Sequence, residues 1–380
     1  MAGLLATQQI PSIAALLVAR AEATPERVAF TSPAGDTWRS WSWAEVADTV
    51  RRAAAGLRTL GIADEDRVAL LSATRIEWIL ADLAVLTAGG ATTTIYPANT
   101  ADECRFIIAD SQSRFVVVED HEQLQKLSAI RSEIPDVQAV ILLDGDSGDD
   151  GWVLSWDDLV RRGGDCLSEQ PGIVDDVVRS ITRDRLATVI YTSGTTGPPK
   201  GVELRHDSWL YAAGAADEVA ILAEDDVHYL WLPLSHAFGK VLEVLVIDIG
   251  VLTAVDGRVD RIVENLGTIR PTVMAGAPRI FEKVHNAVVS TARQEGGVKL
   301  ALFRWARDVG TRMSRTRQQG RRPSPLLAAQ HRLADALVMS RLRQRFGGRI
   351  RYFVSGSAPL SLEMTEFFDA VGMRSSRATD

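Results

Sequence analysis

The sequence predicts an α/β protein with mostly parallel sheets. Three observations carry that prediction. Short β-branched runs alternate with segments of helical apolar spacing along most of the 380 residues, the rhythm of parallel strands covered by helices. The rhythm runs twice, so two similar α/β layers are expected. Four turns rich in Gly, Pro, Ser and His fall at the ends of predicted strands in the second run, where ligands of such sheets sit.

Each element has its own warrant. Ile13 to Glu22 has helical apolar spacing, ended by Thr24-Pro25-Glu26. Val28 to Thr31 and Trp38 to Trp43 read as short strands around the Ala34-Gly35-Asp36 turn. Ser42-Trp43-Ala44-Glu45 is a capping box opening a helix to about Leu60, with Gly61 as its cap. Strands follow at Arg67–Leu71, Ala91–Tyr96, Phe115–Val118 and Ala139–Leu143. The helices between them are Arg75–Ala88, Thr100–Asp110 and His121–Arg131, and Asp144–Asp150 is a loop. The second run places strands at Leu186–Tyr191, His228–Leu232, Val251–Val255, Thr272–Met274 and Arg351–Val354. Val241 to Val255 is too short and, with Glu243 and Asp248, too charged to span a bilayer. It reads as a buried helix passing into a strand.

Composition narrows the function. The chain is 46% hydrophobic and 24% charged, and its net charge is −7 from 42 basic and 49 acidic residues. That balance argues against nucleic acid as the main partner. Cys104 and Cys166 lack CxxC spacing and read as reduced cysteines of a cytoplasmic protein. The six histidines form no metal-ligand pattern. Met1 to Arg20 has no basic residue ahead of its apolar stretch, unlike a signal peptide.

The central motif is Tyr191 to Gly201. Gly194, Gly197 and Gly201 allow close backbone approach to a ligand, and successive N–H groups can form an anion-binding concavity. Ser193, Thr195 and Thr196 add hydroxyls, and Lys200 a point charge suited to a polyphosphate. Counting from Gly194 puts Pro199 where a Walker A loop needs its second glycine, so this is a different phosphate loop. A bare Gly/Ser/Thr linker fits less well behind a β-branched strand, with Pro198-Pro199 stiffening it. The segment His206 to Val219 is expected to be helical. The other three turns are Leu232-Pro233-Leu234-Ser235-His236, Ala275-Gly276-Ala277-Pro278 and Ser355-Gly356-Ser357-Ala358-Pro359. Together the four are expected to form one convergent site.

Thr192 to Gly201 resembles, position by position, the Thr-Ser-Gly-Thr-Thr-Gly-x-Pro-Lys-Gly signature of the acyl-adenylate-forming (AMP-binding) enzymes. Arg279-Ile280-Phe281-Glu282-Lys283 after Pro278 resembles the Val-Pro-Arg-x-x-Glu-Lys stretch of long-chain fatty acyl-CoA synthetases. The resemblance implies the large N-terminal domain of that family over residues 10–372: two stacked α/β subdomains with mostly parallel sheets, the barrel subdomain and C-terminal cap incomplete or absent. It implies ATP-dependent activation of a long-chain fatty acid through an acyl-adenylate to acyl-CoA, with ATP, Mg²⁺ and CoA.

By that carry-over Thr192, Ser193, Gly194, Thr195, Thr196, Gly197, Lys200 and Gly201 clamp the β- and γ-phosphates. His236 serves the α-phosphate, and Ser355, Gly356, Ser357, Ala358 and Pro359 seat adenine. Gly239 opens an acyl channel, with Gly276 and Arg279 near the substrate. Each turn also has a plainer reading. His236 alone could donate to a nearby carbonyl, Arg279 and Glu282 could be an i,i+3 pair, and Ser361 could simply cap a helix.

The family's Tyr-Gly-x-Thr-Glu motif, with its Mg²⁺-binding Glu, is not found in Met373 to Asp380. Residues 373–380 are expected to be an aberrant polar tail, unlike a strand or helix, left by truncation and a frameshift. That would expose a sheet edge beyond Val354. Two alternatives stay open: a non-catalytic nucleotide-binding remnant, and a fatty acyl-AMP ligase or amino-acid-adenylating domain. Residues 299–351 carry Lys299 and thirteen arginines against Asp308 and Asp335. They read either as a solvated helical face or, over 304–351, as a peripheral contact with the inner face of an anionic membrane.

Overall fold

The computed structural model describes residues 3–192, 198–220, 222–276, 278–356 and 361–377. Its strands lie in two mostly parallel sheets, and the chain forms two compact units: Met1–Glu224 with Leu232–Gly257, and Asp225–Trp231 with Arg258–Asp380. Numbered along the chain, the strands are β1 Val28–Ala34, β2 Thr37–Ser42, β3 Arg67–Leu71, β4 Ala91–Ile95, β5 Ser113–Val118, β6 Ala139–Leu142 and β7 Val153–Ser155. They continue as β8 Leu186–Thr192, β9 Lys200–Arg205, β10 Val227–Leu230, β11 Leu252–Val255, β12 Val273–Gly276, β13 Tyr352–Ser355 and β14 Arg374–Arg377.

The first unit holds a complete sheet in the order β7-β6-β5-β3-β4-β8-β9. Every pairing in it is parallel except β8 with β9. Val68 to Leu71 and Phe115 to Val118 are buried along their whole length, as strands covered on both faces must be. One apolar core packs Leu71, Val116 and Val118 of the sheet with Cys104, Ile107 and Leu127 of the covering helices. In the same unit β1 pairs parallel with β11 and antiparallel with β2.

Local signals start the helices. Ser42 and Glu45 form a complete capping box at the head of Trp43–Thr59, and Thr100 and Glu103 form a second at Ala101–Asp110. Each satisfies two backbone donors that a helix end leaves free. The buried run after Gly239 is the predicted helix and strand, Ala237–Ile249 and then β11.

In the second unit, β10, β12, β13 and β14 lie side by side, all parallel. Phe281, Phe346, Phe353, Phe367 and Phe368 pack edge to face against this sheet, with centroids between 5.0 and 6.2 Å apart. That geometry suits the ring quadrupoles.

The His206–Glu218 helix lies where the segment His206 to Val219 is expected to be helical, and between it and the phosphate loop Lys200–Arg205 turns back as β9, antiparallel to β8. Residues 151–180 add β7 and the Trp156–Glu169 and Ile173–Ser180 helices. One expectation is corrected. The polar tail is structured over Arg374–Arg377: β14 pairs residue for residue with β13, Val354 opposite Ser376, so the edge expected beyond Val354 is covered. A strand edge needs backbone donors and acceptors more than apolar side chains, so a polar Arg-Ser-Ser-Arg run can extend a sheet.

The Trp43–Thr59 and Trp156–Glu169 helices meet through two glycines. A Cβ on Gly163 would sit 1.7 Å from the Arg52 carbonyl oxygen, and one on Gly56 2.3 Å from that of Leu159. Gly163→Ala is expected to lower stability by about 1–3 kcal/mol in urea unfolding, because backbone must move. Gly164→Ala, whose Cβ would meet only the Arg52 side chain at 3.9 Å, should gain up to about 1 kcal/mol from helix propensity. Equal midpoints for the two variants would rule out the close approach.

Candidate nucleotide-binding site

The phosphate loop springs from the end of β8. Ser193, Gly194, Thr195, Thr196 and Gly197 lie outside the described residues. Their flanks are well placed: Thr192 ends β8, Lys200 opens β9, and the two are register partners with exposed side chains. Tyr191 anchors the base. Its hydroxyl donates to Asp110 Oδ2 at 2.6 Å, and its ring meets Phe106 edge-on at 6.3 Å. Burial, then Asp110, push this hydroxyl's pKa upward, so it stays a donor. Gly201 faces Tyr191 across the hairpin, and a Cβ there would lie 3.0 Å from the Tyr191 ring. That glycine therefore serves packing as well as backbone freedom.

The Leu232–His236 turn is held by two threonines. Thr74 Oγ1 donates to the Leu232 carbonyl at 2.7 Å and accepts from the Leu234 N–H at 3.1 Å. Thr94 Oγ1 donates to the Ser235 carbonyl at 3.1 Å. Thr94 stands opposite Ile190 in the β4–β8 pairing. The His236 turn thus sits at the strand end next to the one that launches the phosphate loop. Two of the four predicted turns are brought to adjacent strand ends of the first unit.

His236 is the N-cap of Ala237–Ile249. Its Nδ1 accepts the Phe238 N–H at 3.2 Å, which assigns the neutral ring's proton to Nε2 and leaves a donor on an exposed side chain. The plainer reading, donation to a carbonyl, gives way to this acceptor role. At Gly239 a Cβ would lie 2.3 Å from the Pro233 carbonyl oxygen, so the missing side chain lets the turn close onto its helix.

One turn beyond His236 lies a feature that sequence reasoning missed. Lys240 is fully buried, in ion pairs with Asp82 of the Ile76–Thr87 helix and with Glu243 Oε2 at 3.2 Å, and all three side chains are 0% exposed. Burial opposes the ammonium charge, but Asp82 and Glu243 outweigh it and raise the Lys240 pKa. Burial pushes the Glu243 carboxyl up to about 8, against the pull of Lys240. His206, facing the same charge, is held down to about 4 by burial, then by Lys240 and Arg185. Its Nδ1 accepts the Ile13 N–H at 3.3 Å. The signal was available: charged residues inside an apolar run demand partners.

In the second unit the remaining turns are also neighbours. Gly276 ends β12 opposite Ser355 of β13, and the Gly356 N–H donates to the Gly276 carbonyl at 3.3 Å. Trp231 Nε1 donates to the Ala275 carbonyl at 2.8 Å. Gly276, Ser355 and Gly356 are buried, while Arg279 and Glu282 are exposed on the Pro278–Glu295 helix. Ala277, Ser357, Ala358 and Pro359 lie outside the described residues. Ser361 caps Leu362–Ala370 by accepting the Met364 N–H at 3.3 Å, as its plainer reading holds.

A parallel sheet with a glycine-rich loop at one strand end and a histidine turn at the next defines a nucleotide-binding α/β enzyme fold. The chain belongs to the AMP-binding enzyme family, which it matches over residues 17–377. It is 31% identical over 347 residues to the long-chain-fatty-acid–CoA ligase ACSBG2 of Homo sapiens, a match covering 90% of this chain and 51% of that protein. It is 29% identical over 364 residues to the long-chain-fatty-acid–CoA ligase FadD15 of Mycobacterium tuberculosis, covering 95% and 59%. The chain therefore spans about half the length of the curated relatives it matches. Among solved structures, the N-terminal domain of FACL13 from Mycobacterium tuberculosis aligns with TM-score 0.66 at 21% identity, covering 97% of this chain and 75% of that one. A long-chain-fatty-acid–CoA ligase, FadD1, from Archaeoglobus fulgidus aligns with TM-score 0.66 at 17% identity, covering 97% and 64%. The fold is that of these ligases.

Two measurements test the scaffold. Thr74→Val is expected to cost about 1–3 kcal/mol, because buried backbone groups lose their partner, and Thr74→Ser should recover most of it in urea unfolding. A valine variant as stable as the parent would remove Thr74 from its role. For Glu243, the folded state holds its proton more tightly than the unfolded chain, where a glutamate titrates at about 4.3. Its contribution is therefore present below about pH 4 and lost as pH rises through about 8. Glu243→Gln should flatten the decline in urea midpoint between those limits. An unchanged decline would contradict the buried neutral carboxyl.

Proposed function

We propose that the chain carries the nucleotide-binding part of an enzyme that activates a long-chain fatty acid with ATP. The carboxylate oxygen attacks the α-phosphorus, the bond to the β-phosphate oxygen breaks, and pyrophosphate leaves. CoA thiolate then attacks the acyl carbonyl and AMP departs. The observation that carries this reading is the match, along 90% of this chain, to long-chain-fatty-acid–CoA ligases, with the phosphate loop and His236 turn at neighbouring strand ends.

The residues suit the first step. A carboxylate and a triphosphate repel each other, so catalysis is mainly charge neutralisation and alignment. Backbone N–H groups, the hydroxyls of residues 192–196 and the Lys200 ammonium would hold the β- and γ-phosphates. His236 Nε2–H would donate to the α-phosphate oxygen that gains charge, its ring fixed from behind by the Phe238 N–H. Ser355 to Pro359 would seat adenine. No group of three His, Cys, Asp or Glu side chains that could hold a metal occurs among the described residues. Mg²⁺ would enter with the nucleotide, held mainly by its phosphates, and no step is routed through it. The enzyme would act in the cytoplasm, with the arginine-rich 304–351 stretch as a peripheral contact with an anionic membrane.

The test is mass spectrometry for acyl-AMP after mixing the chain with ATP, Mg²⁺ and fatty acids of graded length, without CoA. A long-chain acyl-AMP is expected, reduced at least about 100-fold by His236→Ala, on the scale of losing a transition-state donor, and strongly reduced by Lys200→Ala. Folded chain that binds ATP yet forms no acyl-AMP would identify a nucleotide-binding remnant instead.

A further inference from the structure

The second unit presents an amphipathic face that its own packing leaves uncovered. Pro325–Ala334, a π-helical turn over Asp335–Met339 and Ser340–Arg345 follow one another without a break. Ala334 and Met339 turn inward and are buried. Leu326, Leu333 and Leu337 are 69%, 54% and 39% exposed. Leu326 and Leu333 stand at i and i+7 of the α-helical part, on a single stripe, and Leu337 follows, exposed, in the π-helical turn. Isolated exposed leucines need no explanation, but an aligned set on one helix does.

The charges around the stripe are of one sign. Arg322, Arg332, Arg341 and Arg345 are exposed beside it. Asp335 is the only carboxylate from 321 to 345, and Arg343 neutralises it at 2.7 Å. This cationic stretch belongs to a chain whose net charge is −7, so its sign is a local property. No helix of the described residues is long and apolar enough to cross a membrane. An apolar stripe edged by arginines has the composition of a helix that lies in the plane of a lipid interface, where basic side chains reach the headgroups.

We infer that the 325–345 helical face docks on an anionic lipid surface, with Leu326, Leu333 and Leu337 entering the headgroup–acyl boundary and the arginines engaging lipid phosphates. This narrows the peripheral contact proposed above to one face and is independent of the ligase reading, since the lipid here is a surface rather than a substrate.

The experiment is flotation of the chain with phosphatidylglycerol–phosphatidylcholine vesicles and with pure phosphatidylcholine vesicles. The chain should float with the anionic vesicles only, and added salt should release it. Leu333→Glu with Leu337→Glu should weaken binding at least tenfold, and Arg332→Ala or Arg341→Ala roughly fivefold each. Val298→Glu, at a site 84% exposed on another helix, should change nothing, and circular dichroism should show all variants folded. Absence of flotation overturns the membrane contact. Flotation that survives the leucine substitutions, or that is equal on neutral vesicles, overturns this face as its cause. A dimer in analytical ultracentrifugation that the leucine substitutions dissociate would assign the face to a second copy of the chain and overturn the proposal.

Discussion

Lys240 lies wholly out of water between two carboxylates, and much of the first unit is arranged to tolerate it. An unpaired buried ammonium would cost several kcal/mol. Asp82 offsets that cost as the charged partner and ties the Ile76–Thr87 helix to the Ala237–Ile249 helix, while Glu243, one turn along the same helix, lies 3.2 Å from the ammonium. The first of these helices follows the loop in which Thr74 grips the Leu232–Leu234 turn. The second begins at His236. A histidine on an exposed turn is thereby tied to the interior through its own helix and through the backbone before it. With one lysine facing two acids, the arrangement is electrically balanced only while Glu243 keeps its proton, which burial favours.

The loop on the neighbouring strand is fixed differently. Many phosphate loops run into a helix N-terminus and draw on its dipole. Here the chain returns as β9, so the His206–Glu218 helix starts well past the loop. In the proposed function, phosphate charge would then fall to backbone N–H groups, short hydroxyls and Lys200 rather than to a helix dipole. Tyr191, pinned to Asp110, and Gly201, packed on Tyr191, hold the two stems of the hairpin.

What the sequence made legible follows from how local each signal is. The apolar run Arg67–Leu71 and the box at Ser42 depend on near neighbours, and the strand and the cap lie where the sequence places them. β9 and β14 escaped because their stability comes from pairing with β8 and β13, not from their polar side chains. The site divides the same way. Residues 192–201 and 232–236 announce themselves by composition, whereas Thr74 and Thr94 look like ordinary threonines until the backbone they serve arrives from more than 140 positions away, at separations of 158 and 141.

The hairpin also fixes where the loop begins and ends. Thr192 and Lys200 are register partners on either side of it, and Gly201 packs on the Tyr191 ring opposite. A substitution at either stem residue therefore disturbs the β8–β9 pairing itself, and with it the point from which the chain leaves the sheet and the point at which it returns.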